Sequence, residues 1–164
     1  MREIGGRIST REGPFRKKVI CMFMGEYNHN IDAKGRLIVP AKFRELLGTE
    51  FVVTKGLDGC LFVYPSEEWK NIKEKFRSIS QFSKDARKFA RFFFASAASC
   101  EVDKLGRILI PSALREFAGL QKDVVLAGVL NHIEIWDKDR WKETSEYDDV
   151  EEIADNMSGM GISI

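Results

Sequence analysis

A repetition inside the chain constrains its fold more than any other feature. The segment Asp32 to Gly48, reading Asp-Ala-Lys-Gly-Arg-Leu-Ile-Val-Pro-Ala-Lys-Phe-Arg-Glu-Leu-Leu-Gly, returns 71 positions later, from Asp103 to Gly119, as Asp-Lys-Leu-Gly-Arg-Ile-Leu-Ile-Pro-Ser-Ala-Leu-Arg-Glu-Phe-Ala-Gly. Seven of these 17 positions are identical. After a one-residue insertion, Val52, Val53, Gly56 and Trp69 answer to Val124, Val125, Gly128 and Trp141. The chain is one supersecondary unit written twice. A unit of about 40 residues is too small to bury a stable core alone, so the two copies must interlock.

Each unit reads as βαββ. Tyr27 to Ile31 and Ala98 to Val102 are short extended stretches leading into Asp-x-x-Gly-Arg, where glycine permits the positive φ of a tight turn. The apolar triplets Leu37 to Val39 and Ile108 to Ile110 follow as strands, and their unbroken hydrophobicity predicts burial on both faces. Pro40 and Pro111 fit a first helical position, and Gly48 and Gly119 fit the residue that ends the helix. Between them, Phe43, Leu46 and Leu47, or Leu114, Phe117 and Ala118, form one apolar face. Phe51 to Thr54 and Leu61 to Tyr64 make a hairpin around Asp58-Gly59; Val124 to Ala127 and His132 to Trp136 repeat it around Asn131.

Helical arms follow each unit. Ser66 is placed to cap a helix with Trp69, Ile72, Phe76 and Ile79 on one face, and Ser83 to cap a second through Phe89 and Phe93. The small residues Ala95 to Ser99 then lead back into the sheet, Asp137 caps a helix beginning near Trp141, and the tail from Asn156 is expected to fray. The organisation expected is a basic extension over 1–21, a first repeat with its arm over 22–95, a second with a C-terminal helix over 96–157, and a flexible tail over 158–164.

Net charge is +1, yet charge is segregated. Residues 2–18 hold six basic against two acidic groups and residues 70–91 eight against two, whereas residues 137–155 hold three against nine. Local positive charge attracts phosphates even when the total is near zero, although a charge run also serves as a plain solvated face. No apolar run approaches the roughly 18 residues of a membrane span. Cys21, Cys60 and Cys100 are odd in number, widely spaced and without a C-x-x-C pair, which argues against a disulfide framework or zinc site and points to a reducing cytoplasm. The usual phosphate-loop, dinucleotide, metalloprotease and nucleophile-elbow motifs are missing, so no catalytic residue, cofactor, metal or small-molecule substrate is expected. Cys60 or Cys100 beside a histidine is the best enzymatic case, and it rests on fold alone.

The run from Met22 to Arg44, together with Asp103 to Arg107, resembles the MraZ family of bacterial transcriptional regulators, over roughly residues 22–155. Two Asp-x-x-x-Arg motifs, each followed by an apolar triplet and proline, make the resemblance specific; one copy alone is shared with AbrB-like regulators and antitoxins. The resemblance implies an α+β fold, mainly a β-barrel with helical arms, in which two tandem AbrB-like repeats form a swapped-hairpin, double-psi-like barrel. It implies a ring-shaped homo-oligomer, associated with the nucleoid, that binds repeated double-stranded DNA motifs in the promoter of its own operon of division and cell-wall genes and represses it. Members begin near Met22 or Met24, so residues 1–21 have no counterpart. An alternative reading makes the chain a ring-forming scaffold or antitoxin-like interaction module served by the acidic segment from Glu143 to Asp155.

The DNA-contacting element implied by the resemblance maps onto Asp32 to Arg36 and Asp103 to Arg107. Arg36 and Arg107 suit bidentate guanine or phosphate contact, or each pins its turn to the aspartate four residues earlier. Asp32 and Asp103 fit the orienting role, Gly35 and Gly106 form the turns, and Lys34 and Lys104 suit phosphate neutralisation, one register apart. Arg44 and Arg115, followed by Glu45 and Glu116, read as architectural or intersubunit pairs. Lys84, Arg87, Lys88 and Arg91 lie opposite an apolar helix face and either widen a DNA footprint or face solvent or a neighbour. His29 and His132 read as structural or surface residues.

Overall fold

In a computed structural model the described residues are 22–162 and 164. The expected basic extension over 1–21, with Cys21, lies outside them. The first repeat supplies β1 (Phe23–Asn30), β2 (Arg36–Ile38), α1 (Ala41–Leu47), β3 (Glu50–Lys55), β4 (Leu61–Pro65), α2 (Ser66–Arg77) and α3 (Lys84–Phe93). The second supplies β5 (Ala98–Glu101), β6 (Arg107–Leu109), α4 (Ser112–Ala118), β7 (Asp123–Leu130), β8 (His132–Asp137), α5 (Lys138–Thr144) and α6 (Val150–Ser158).

The repeats do interlock. A six-stranded antiparallel sheet runs in the order β1-β7-β8-β4-β3-β5, so β1 of the first repeat pairs with β7 of the second, and β5 of the second pairs with β3 of the first. A separate ladder joins β2 to β6, and these strands stand beside β1 and β5. A sheet of six and a ribbon of two are compatible with the expected barrel, although among the described residues no main-chain ladder closes around all eight strands. One core serves both repeats: Leu37, Phe43, Phe51 and Leu61 share a cluster with Ile108, Ile110, Leu114, Leu126 and Ile135. Gly128 lets β1 and β7 close up, since a Cβ there would stand 2.5 Å from the Met24 amide nitrogen.

Several local expectations need correction. β1 starts at Phe23, four residues before the expected Tyr27, because β7 gives it a partner along all eight residues. The apolar triplets are buried on one face only: Leu37 and Ile108 are inside, whereas Ile38 and Leu109 are 45% and 59% exposed. Among the described residues nothing covers the outer side of the β2–β6 ribbon, so strand alternation leaves every second residue exposed. Pro40 and Pro111 occupy the cap position, one residue before the helix, and their carbonyls accept from the amides of Arg44 and Arg115.

Ser66 does not cap α2; its hydroxyl donates to the Glu50 carbonyl at 2.8 Å, tying the helix start to β3. Ser83 does cap α3, accepting from the Ala86 amide, and Asp137 caps α5 by accepting from the Asp139 amide. That helix begins at Lys138, three residues ahead of Trp141. The arm is closed by aromatic contacts, with Phe94 5.0 Å from Phe76 and 5.3 Å from Trp69 between ring centres. The tail expected to fray from Asn156 is instead helical as far as Ser158, because Val150, Glu151, Glu152, Ile153 and Ala154 continue a helix that stops only at Gly159.

Candidate nucleic-acid interface

Both Asp-x-x-Gly-Arg segments fold into the same turn. The Gly35 amide donates to the Asp32 carbonyl at 3.0 Å, and Gly106 repeats this with Asp103 at 3.0 Å. Gly35 (φ 84°) and Gly106 (φ 78°) lie in the left-handed region. One carboxylate oxygen of Asp32 accepts from the amides of Lys34 (3.0 Å) and Arg36 (2.9 Å), while the other accepts from Arg36 Nε at 2.7 Å. Asp103 does the same with the amides of Leu105 and Arg107 and with Arg107 Nε at 2.8 Å. The amide of Arg36 or Arg107 is the largest influence holding each carboxyl below its ordinary value of 3.8, and the guanidinium adds to it.

The geometry lets the pinning and contact roles of the arginines coexist. Each aspartate holds its arginine through Nε, leaving the two terminal nitrogens, the fork that grips guanine or phosphate, without a partner among the described residues. The lysines are exposed but not equivalent: Lys34 takes the turn position that Leu105 takes in the second loop, and Lys104 takes that of Ala33.

The ribbon then brings the two loops together. Arg36 stands opposite Leu109, and Ile38 opposite Arg107, so the two arginines lie on one diagonal of the outward face. Reciprocal main-chain bonds lock the loops across the repeats: the Val39 amide donates to the Gly106 carbonyl at 2.9 Å and the Ile110 amide to the Gly35 carbonyl at 3.0 Å.

Arg44 and Arg115 make a contact that their sequence neighbours do not suggest. Among the described residues neither pairs with Glu45 or Glu116; each reaches under the loop of the opposite repeat. A Cβ on Gly35 would stand 2.7 Å from Arg115 Cζ, and one on Gly106 would meet the Arg44 guanidinium, so a side chain at either position would push a guanidinium aside, while the positive φ favours glycine at both. Arg115 Nε donates to the Ile110 carbonyl at 3.0 Å, whereas Arg44 Nε is buried and unpartnered among the described residues. The equivalence of the two arginines in the repeat was the available signal; their crossing between repeats was not readable from it.

The remaining candidates lie elsewhere. Cys60 and Cys100 are buried; burial pushes the Cys100 thiol up to about 11 and is the first of the causes that push Cys60 higher still, with Glu134 beside it. His132 packs against Phe62 and Tyr64 with Nδ1 2.7 Å from the Asn131 side-chain oxygen, a structural setting. Among the described residues no group of three or more His, Cys, Asp or Glu is placed to hold a metal ion, and no helix is long and apolar enough to cross a membrane.

Interlocked βαββ repeats with a paired-arginine ribbon define the class, an α+β protein of two tandem repeats. The family model described as "MraZ protein, putative antitoxin-like" matches it twice, at residues 22–92 and 93–159. A protein named "Transcriptional regulator MraZ" from Lachnoclostridium phytofermentans is 62% identical over 142 residues, covering 87% of this chain and 99% of the relative. Proteins of the same name from Caldanaerobacter subterraneus subsp. tengcongensis and Acetivibrio thermocellus are 58% and 57% identical over 143 residues, covering 86% of this chain and all of each relative. The chain belongs to the MraZ family, whose members carry the name of transcriptional regulators.

Proposed function

We propose that this protein is a sequence-specific, double-stranded-DNA-binding transcriptional regulator that acts on the promoter of its own operon, as a repressor, from a ring of identical subunits associated with the nucleoid. The observation that carries the reading is the ribbon, where two arginines are held through Nε and their terminal nitrogens have no partner among the described residues on one outward face. Such a ribbon fits the major groove, where a guanidinium fork matches guanine O6 and N7. Asp32 and Asp103 orient, Gly35 and Gly106 shape the turns, and the exposed Lys34 and Lys104 neutralise phosphates. The working unit is the pair of halves, 22–95 and 96–157, with residues 1–21 and 158–164 outside it.

One subunit offers a small footprint, so useful affinity calls for repetition. Two exposed faces support the self-association proposed: α6 exposes Val150 and Ile153 beside Glu151, Glu152 and Asp155, and the arm exposes Ile79, Phe82 and Phe89 beside Lys84, Arg87, Lys88 and Arg91. Acidic and basic apolar faces of this kind complement one another between copies.

The test is fluorescence anisotropy on labelled DNA from immediately upstream of the gene, against a shuffled duplex, at two salt concentrations. The native duplex is expected to bind tighter, with affinity falling steeply as salt rises. Arg36→Ala and Arg107→Ala should each weaken binding about 10- to 100-fold, with the melting temperature within about 3 °C of the parent and the oligomer unchanged by light scattering. Equal binding to both duplexes ends the autoregulator reading, and a variant that unfolds assigns that arginine to the turn alone.

A further inference from the structure

The outward face of the ribbon carries two residues that the arginine account leaves unused. Ile38 is 45% and Leu109 59% exposed, while Leu37 and Ile108, one position away on each strand, are fully buried. They complete a four-residue patch with Arg36 facing Leu109 and Ile38 facing Arg107, arginines on one diagonal and aliphatics on the other. Neighbours across a ribbon stand about 5 Å apart and alternate residues along a strand about 7 Å. Each aliphatic side chain therefore lies one or two base-pair steps from each arginine, since steps repeat at about 3.4 Å.

Resting on the DNA-binding reading above, we propose that Ile38 and Leu109 are specificity-determining residues that read the 5-methyl groups of thymines next to the guanines held by Arg36 and Arg107. The major groove presents a single apolar feature, the thymine methyl, alongside the donors and acceptors that arginine can reach. An uncovered aliphatic side chain between two cations has no use for a phosphate, but it gains by excluding water from a methyl group. Phosphate contacts alone would be served by polar side chains at positions 38 and 109. The ribbon therefore selects a mixed guanine and thymine site, whose thymines the arginines by themselves would not distinguish from cytosines.

The experiment compares the wild-type protein on two duplexes of the same upstream sequence at one salt concentration, one with thymine throughout and one with deoxyuridine in its place. Deoxyuridine keeps every hydrogen-bonding edge and removes only the methyl. Burial of one such group is worth about fourfold in an equilibrium constant, so losing two contacts should raise Kd by about 4- to 16-fold. In the Ile38→Ala/Leu109→Ala variant the ratio between the duplexes should fall below about twofold.

Equal wild-type binding to the two duplexes overturns the proposal while leaving DNA recognition standing. A thymine preference that survives in the double variant overturns the assignment to these residues. Absence of binding to both duplexes removes the DNA reading and this inference together. A changed oligomeric state in the double variant would instead assign the patch to a contact between copies. The first comparison uses no variant, so it decides even if the double substitution disturbs folding.

Discussion

Asp32 and Asp103 show how a residue that would repel DNA can serve a loop proposed to face it. Each accepts three hydrogen bonds, two from amides of its own turn and one from its arginine, so the carboxylate fixes both the loop and the guanidinium. Those bonds favour the charged form and hold both carboxyls below 3.8. A depressed folded value means that the stabilisation is fully present above the unfolded value and is lost as pH falls through the folded one. The loops should therefore keep their geometry throughout the neutral and mildly acidic range and lose it only below pH 3.8. A carboxyl carbon NMR titration should place both midpoints under that value; a midpoint at or above it would mean that the arginine is not held in solution as described here. Among the described residues the side chains of Lys34 and Lys104 have no such partner, which fits the phosphate-neutralising role proposed for them.

At the scale of elements, what the sequence makes legible is what local chemistry dictates. The Asp, Gly, Pro and Gly of each repeat act within a few residues, through a turn, a cap and a helix stop, and all four stand within a residue of their expected places. The faces of the β2–β6 strands were not legible, because Leu37-Ile38-Val39 is apolar throughout and conceals its alternation. Nor was the crossing of Arg44 and Arg115 beneath opposite loops, a contact made only by tertiary structure. Ser66 and Ser83 look alike as caps, yet only Ser83 bonds the helix amide, because Ser66 is diverted to β3. Ser83→Ala should cost about 1 kcal/mol and lower the melting temperature by about 2–4 °C, while Ser83→Asp should retain stability. Differential scanning calorimetry checks both; an unaffected Ser83→Ala would show that aromatic packing alone sets the start of α3.

For the whole molecule, the governing fact is that each repeat completes the other's sheet. β1 has its ladder on β7, β5 has its ladder on β3, and the central β8–β4 pair joins the halves again. The loops obey the same rule, since each is braced by an arginine and a main-chain bond from the other repeat. The paired-arginine face is thus a property of the duplicated chain and of neither half. It follows that residues 22–95 expressed alone should lack a cooperative thermal transition as a monomer, because β1 and β3 lose the partners β7 and β5 and the shared core loses half its side chains. Residues 96–157 added in trans should restore the transition in a one-to-one complex, followed by circular dichroism and analytical ultracentrifugation. Homodimers of the first half are the one alternative route to a complete sheet, because the repeats share their βαββ plan, and sedimentation separates them from the mixed complex. A cooperatively folded monomeric half would break the argument, since it would mean that the strands can satisfy their edges within one repeat. The arginine ribbon would then be an adjustable junction between two independent units, and binding by one half alone would be expected.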